Sequence, residues 1–117
     1  MTQRKIEQMG QKVFTGKRFD VVSMDLPNRN ANSGTHRKDM VLHPGAAVIL
    51  PMIDEDHVVM IQNERPIEDV PLWELPAGTL EPPEEPHVTA GRELIEEAGY
   101  QAGEIKLINS FYASPGI

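Results

Sequence analysis

The chain has 117 residues, 39% hydrophobic and 25% charged, which suits one modest globular domain and excludes a disordered polymer. It has no cysteine, so disulfides and thiolate metal sites are excluded, as suits a reducing cytoplasm. Its formal charge of −7 argues against general nucleic-acid binding.

Residues 1–11 read as a flexible polar arm. No apolar run follows Met1-Thr2-Gln3-Arg4-Lys5, so no signal peptide is expected. Val13, Phe14, Phe19, Val21, Val22 and Met24, broken by Gly16, predict a hairpin of two short strands over 12–25. Residues 26–38 read as a loop, with Pro27, Asn28, Asn30, Asn32, Ser33 and Gly34, and Met40–Leu42 as a short strand. The first 38 residues hold eight Lys/Arg against three acids, a balance of +5; residues 39–117 hold three against fifteen, a balance of −12. The basic part either meets phosphates or a partner's acidic surface, or is a solvated arm.

Ala46–Met52 predicts a buried strand, and the apolar run there is too short to span a bilayer. Asp54-Glu55-Asp56 marks a turn, His57–Asn63 a further strand, residues 64–71 a loop and Leu72–Leu75 a short strand. Trp73 reads as a core residue beside a short strand, the alternative being a ring that stacks on a flat ligand. Beyond the helix described next, Ile105–Tyr112 predicts a last strand.

Pro86 and Gly99 bracket a helix, the first at a position that needs no N–H and the second where a left-handed residue commonly follows. Val88, Leu94, Ile95 and Ala98 are its expected apolar face. Glu93, Glu96 and Glu97 share another face, at i, i+3 and i+4. Like charges so spaced cost roughly 0.2–0.5 kcal/mol, and acids in the last turn oppose the helix dipole. Two readings fit: a carboxylate site for a hard divalent cation, or a solvated acidic face with Arg92 as partial counter-charge. The four histidines have no zinc-like spacing.

The stretch Gly78–Tyr100 resembles the Nudix box, Gly-x5-Glu-x7-Arg-Glu-U-x-Glu-Glu-x-Gly-U, through Gly78, Glu84, Arg92, Glu93, Leu94, Glu96, Glu97 and Gly99. Tyr100 departs from the final aliphatic position. Chance agreement is on the order of 10⁻⁹ per start position. The flanks are similar to the ADP-ribose pyrophosphatase branch: His43-Pro44-Gly45-Ala46, Gln62-x-x-Arg65-Pro66, Trp73-Glu74-Leu75-Pro76-Ala77-Gly78, and Ser110-Phe111-Tyr112 with Ser114-Pro115-Gly116. Pro83 replaces a usual glycine, and Glu85 is a weak helix cap. Family members continue past the position of Ile117, with a loop that often supplies a catalytic glutamate. The chain is therefore expected to be a fragment or to be completed by a partner, and to be oligomeric or poorly stable alone.

The resemblance implies an α+β fold with a mixed sheet, a box helix and an N-terminal antiparallel hairpin. It divides the chain into an arm (1–11), a hairpin region (12–42) and a core with the box (43–117). It implies metal-dependent hydrolysis of ADP-ribose or a related nucleoside diphosphate sugar to AMP and a sugar phosphate. The alternatives are a GDP-sugar or dinucleotide substrate, or a non-catalytic nucleotide-binding module. Mg²⁺, or Mn²⁺, is the implied cofactor. Glu93, Glu97 and Glu96 are its implied ligands, with the Ala77 carbonyl and Glu84. Glu96, Glu97, Glu93 and Arg92 form the implied catalytic set, Glu96 being one candidate base, with Arg92 orienting the carboxylates. Arg65, Gly78 and Leu80 are the implied substrate contacts; an ion pair of Arg65 with Glu64 or Glu68 is the alternative. Phe14 and Phe19 are candidates to hold adenine. A cytoplasmic homodimer, with no membrane or nucleic-acid partner, completes the expectation.

Overall fold

The computed structural model describes residues 3–29 and 34–115. Residues 1–2 of the expected arm, Asn30, Asn32 and Ser33 of the expected loop, and Gly116 lie outside them. Internal contacts divide the chain into two units, one of residues 1–43 with 111–117 and one of residues 44–110.

In the first unit, Gln3–Met9 forms a short helix, α1, where the sequence suggested a flexible arm. β1 (Gln11–Thr15) and β2 (Asp20–Pro27) form the expected antiparallel hairpin. Its turn closes as the Gly16 N–H donates to the Phe19 carbonyl at 3.0 Å. The register slips between Lys12 and Phe14, the mark of a β-bulge. β3 runs over Thr35–Leu42 and pairs with all of β2, from Asp20 opposite Leu42 to Pro27 opposite Thr35. Residues 26–27 and 35–38 of the expected loop are thus strand. Composition suggested loop there, but a strand's length is set by the partner it pairs with, and β2 is eight residues long. Val22, Met24 and Leu42 are buried. Ser23 is buried too, and its hydroxyl accepts from Arg37 Nε at 2.7 Å.

The second unit holds two short antiparallel pairs and one long helix. β4 (Ala46–Val48) pairs with β7 (Ala77–Thr79), and β5 (Ile61–Asn63) with β6 (Leu72–Glu74). The class is α+β, but the described pairings are all antiparallel and lie in three small sheets. The buried strand expected over 46–52 is only three residues long, and Val48, Leu50 and Met52 are exposed. Met52 and Val58 make an isolated bridge around the Asp54 turn, where Oδ1 of Asp54 accepts from the N–H groups of Asp56 and His57, both at 2.9 Å. No strand forms over 105–112: no described strand pairs with the segment, and Leu107, Ile108, Phe111 and Tyr112 are exposed. An apolar pattern proposes a strand, but only a hydrogen-bonding neighbour makes one.

α2 spans Pro86–Ala98, with Pro86 at its start and Gly99 left-handed at its end, φ 73°. The Glu85 side chain makes no capping hydrogen bond, as its type suggests. The buried face is Thr89, Ala90 and Leu94; Val88 and Ile95, expected inside, are exposed. Burying Leu94 contributes about 2 kcal/mol. This face packs α2 against β7 and β4. No described helix is long and apolar enough to cross a membrane.

The Gly99 conformation gives a direct test of the helix end. An L-residue there pays roughly 1–2 kcal/mol for the left-handed geometry. Gly99→Ala should therefore lower the urea-derived unfolding free energy by about that much, and an unchanged midpoint would contradict the assigned terminus.

Candidate active site

Glu84 lies two residues before α2, in a turn closed by its N–H donating to the Glu81 carbonyl at 2.8 Å. Its carboxylate is directed onto the first turns of the helix. The Thr89 hydroxyl donates to Oε2 at 2.7 Å. Arg92 donates to both oxygens, Nε to Oε1 at 3.2 Å and Nη2 to Oε2 at 3.1 Å. This is the two-point geometry that makes arginine–carboxylate pairs specific. The third nitrogen, Nη1, donates to Glu93 Oε1 at 2.7 Å and to Glu96 Oε2 at 3.3 Å. One guanidinium therefore hydrogen-bonds three carboxylates, and a fourth, Glu81, lies 3.9 Å from Nη2. The Glu84 and Glu93 side chains are only 16% and 13% exposed, while Glu96 is 56% exposed.

The electrostatics follow from this geometry. The Arg92 hydrogen bonds, then the Thr89 hydroxyl, hold the Glu84 carboxyl down to about 2, against the opposing effect of burial. In return Glu84, then Glu93, push the Arg92 guanidinium further up.

Glu93 and Glu97 reach the neighbouring strand. A Cβ on Gly78 would lie 2.0 Å from Glu93 Oε1, so only glycine leaves room for that carboxylate beside β7. One helical turn on, Glu97 Oε2 accepts from the Ala77 N–H at 2.9 Å. Two acids at i, i+4 thus meet two successive residues of one strand. Leu80 follows, its N–H donating to the Gly45 carbonyl at 3.0 Å.

The structure brings Glu84, Arg92, Glu93 and Glu96 together, places Glu97 on Ala77, and sets Gly78 against Glu93. Among the described residues, no three His, Asp or Glu side chains already converge as a metal-holding group. The donors nevertheless fit a hard divalent cation. They are carboxylate oxygens, two of which, on Glu93 and Glu97, meet β7, and Glu96 makes the longest of the hydrogen bonds to Arg92.

Arg65 pairs with neither Glu64 nor Glu68. Its Nε and Nη2 donate to Glu74 Oε1 and Oε2 at 2.9 and 2.5 Å, and Asn63 Nδ2 donates to Oε2 at 3.2 Å. Glu74 was missed because it lies nine residues away; the β5–β6 register, with Ile61 opposite Glu74, brings it across. A cavity of about 330 Å³ is lined by Arg65 with Glu64, Glu68, Asp69, Val70 and Pro71. Trp73, expected in the core, is 66% exposed, because β6 turns Leu72 and Glu74 to the more covered face. Phe14 and Phe19 pack on each other, ring centres 5.8 Å apart. His57 binds Asp54, His36 binds Asn28, and His87 is exposed. The other residue missed is Thr89, whose helical position alone does not distinguish a buried donor from core filling.

The model of the NUDIX domain matches residues 42–116. The chain is 41% identical over 108 residues to an ADP-ribose pyrophosphatase of Bacillus subtilis, covering 91% of this chain and 56% of that protein. It is 36% identical over 108 residues to a methanol dehydrogenase activator of Bacillus methanolicus, with coverage of 91% and 56%. The solved structure of an ADP compounds hydrolase superposes with a TM-score of 0.59 at 26% identity, covering 80% of this chain and 50% of that one. The chain spans about half the length of the curated relatives it matches.

The depressed Glu84 carboxyl predicts a pH dependence. A lowered folded-state pKa adds stability that is fully present above the ordinary 4.5 and is lost as the pH falls towards about 2. The stability gap between the wild type and Glu84→Gln, from urea melts, should be constant from neutral pH down to that ordinary value. It should then close with further acidification. A gap that stays flat throughout would show that Arg92 does not hold the carboxyl in this way.

Proposed function

The chain belongs to the Nudix family, and from that premise we propose that it carries the metal-binding helix of a pyrophosphatase acting on ADP-ribose or a related nucleoside diphosphate sugar. The products are AMP and a sugar phosphate. The observation that carries this reading is the placement of four box carboxylates around Arg92 and β7, together with the likeness to an ADP-ribose pyrophosphatase.

Mg²⁺, or Mn²⁺ in its place, is the proposed cofactor, held by Glu93, Glu97 and Glu96 with the Ala77 carbonyl and Glu84. When bound, such an ion neutralises diphosphate charge and lowers the pKa of a water. The residues of the chain do the rest. Arg92 keeps Glu84 ionised and orients both Glu84 and Glu93. The Ala77 N–H fixes Glu97. Glu96, the most exposed of the three carboxylates hydrogen-bonded to Arg92, can leave it at least cost among them and either complete the ligand set or take a proton from water. Arg65 reaches a substrate phosphate only by exchanging it for Glu74, so its role as a clamp includes breaking that pair. Gly78 and Leu80 complete the proposed substrate contacts. The proposal extends to a cytoplasmic homodimer, supported by the exposed Val13 and Phe14 of β1.

Two measurements test it. Mg²⁺ titrated into the wild type should bind and raise the melting temperature by mass action. Glu97→Gln should weaken that binding and cut turnover by on the order of a hundredfold. Equal weak heats in both proteins would end the metal assignment. On a panel of ADP-ribose, ADP-glucose, GDP-mannose, NADH and dGTP, kcat/KM should be highest for ADP-ribose or another diphosphate sugar. A preference for dGTP over all of them would remove the substrate class.

A further inference from the structure

Thr89 has no exposed surface, yet it carries a polar group on the packed face of α2. A buried hydroxyl is costly unless it is hydrogen-bonded. A helical threonine often bonds back to the carbonyl four residues earlier. Here the Glu85 carbonyl accepts instead from the Thr89 N–H, at 3.2 Å, and the Thr89 hydroxyl goes to Glu84 Oε2.

That choice matters because of what Glu84 holds. Glu84 and Arg92 form a two-point pair, but both side chains are long, and a pair of long side chains can drift as a unit. Thr89 ties the pair to the helix through one short, β-branched side chain with a single stiff torsion. With Glu84 fixed, the Arg92 fork is fixed, and Nη1 presents a set position to Glu93 at 2.7 Å.

We propose that Thr89 is a positioning residue, whose buried hydroxyl fixes Glu84 and, through it, the Arg92 guanidinium that aims Glu93 at the cation site. Its effect on metal uptake rests on the metal reading given above; its effect on Arg92 does not. A residue that only fills the core depends on volume, whereas a positioning donor depends on its hydroxyl. Thr89→Val keeps the volume and removes the donor; Thr89→Ser keeps the donor and removes a methyl.

The test measures Mn²⁺ affinity by titration calorimetry and hydrogen exchange at the Arg92 Nε–H by nuclear magnetic resonance, in the wild type and both variants. Thr89→Val should bind Mn²⁺ about tenfold more weakly and exchange the Arg92 Nε–H faster. Thr89→Ser should match the wild type in both. Wild-type values in Thr89→Val, or a loss in Thr89→Ser as large as that in Thr89→Val, would overturn the proposal. If the wild type takes up no Mn²⁺, the metal reading fails by itself. Arg92 exchange then decides: faster exchange in Thr89→Val alone supports the positioning role, and unchanged exchange refutes it.

Discussion

The geometry of the site depends on one guanidinium. Among the described residues Arg92 is the one cation paired with Glu84, Glu93 and Glu96, and it faces Glu81 as well. Remove it and four carboxylates lose their common partner, two of them, Glu84 and Glu93, largely out of water. Lysine could not replace it: an ammonium is a point charge on a flexible stem, whereas the planar fork meets both oxygens of Glu84 and still has Nη1 for Glu93 and Glu96. The acids on the helix are therefore not simply unfavourable charges. Part of their repulsion is balanced inside the fold, and the remaining negative charge is what would attract a cation.

The same interaction accounts for the helix start. Glu85 occupies the cap position without a side-chain bond, so α2 lacks the usual local stabilisation of its first turn. Pro86 supplies the right backbone torsion and leaves no N–H to satisfy. Glu84 supplies the rest. Its negative charge near the N-terminus favours the helix dipole, and its bonds to Thr89 and Arg92 fasten the preceding turn along two turns of helix. Helix entry and site assembly are thus one structural event. A change that loosens Glu84 disturbs both.

What was legible in the sequence was local. Pro86 and Gly99 fixed the limits of α2 because each acts through its own backbone geometry. The two-strand hairpin was legible for the same reason, since its turn residues and apolar runs are adjacent. The other strands depend on partners remote in the chain. β3 is longer than its composition suggested because β2 offers eight residues to pair with, whereas Ala46–Met52 and Ile105–Tyr112 carry strand-like patterns with little or nothing alongside. Trp73 shows the same limit on a smaller scale: its type suggested burial, but the alternation of β6 placed it outward. Within the box, spacing showed that three acids share a helical face. It did not show that Glu96 would pair with Arg92 while Glu93 and Glu97 reached β7.

That division has a chemical consequence. The proposed site would take up a cation and also manage a proton, a task that needs donors that stay in place and one that moves. Glu93 is confined between Arg92 and the open space above Gly78, where a single added carbon would collide with it. Glu97 is held by a backbone N–H that has little freedom of its own. Glu96 is exposed, has no partner on β7 among the described contacts, and is on the longest of the Arg92 hydrogen bonds. Releasing it costs Arg92 one weak contact and leaves the Glu84 fork and the Glu93 bond intact. Three glutamates identical in chemistry therefore differ in how firmly they are held, and that difference comes from their neighbours. In the proposed site, a cation would compete with Arg92 first at Glu96, where release is easiest among the three hydrogen-bonded carboxylates, with Glu93 and Glu97 already held along β7.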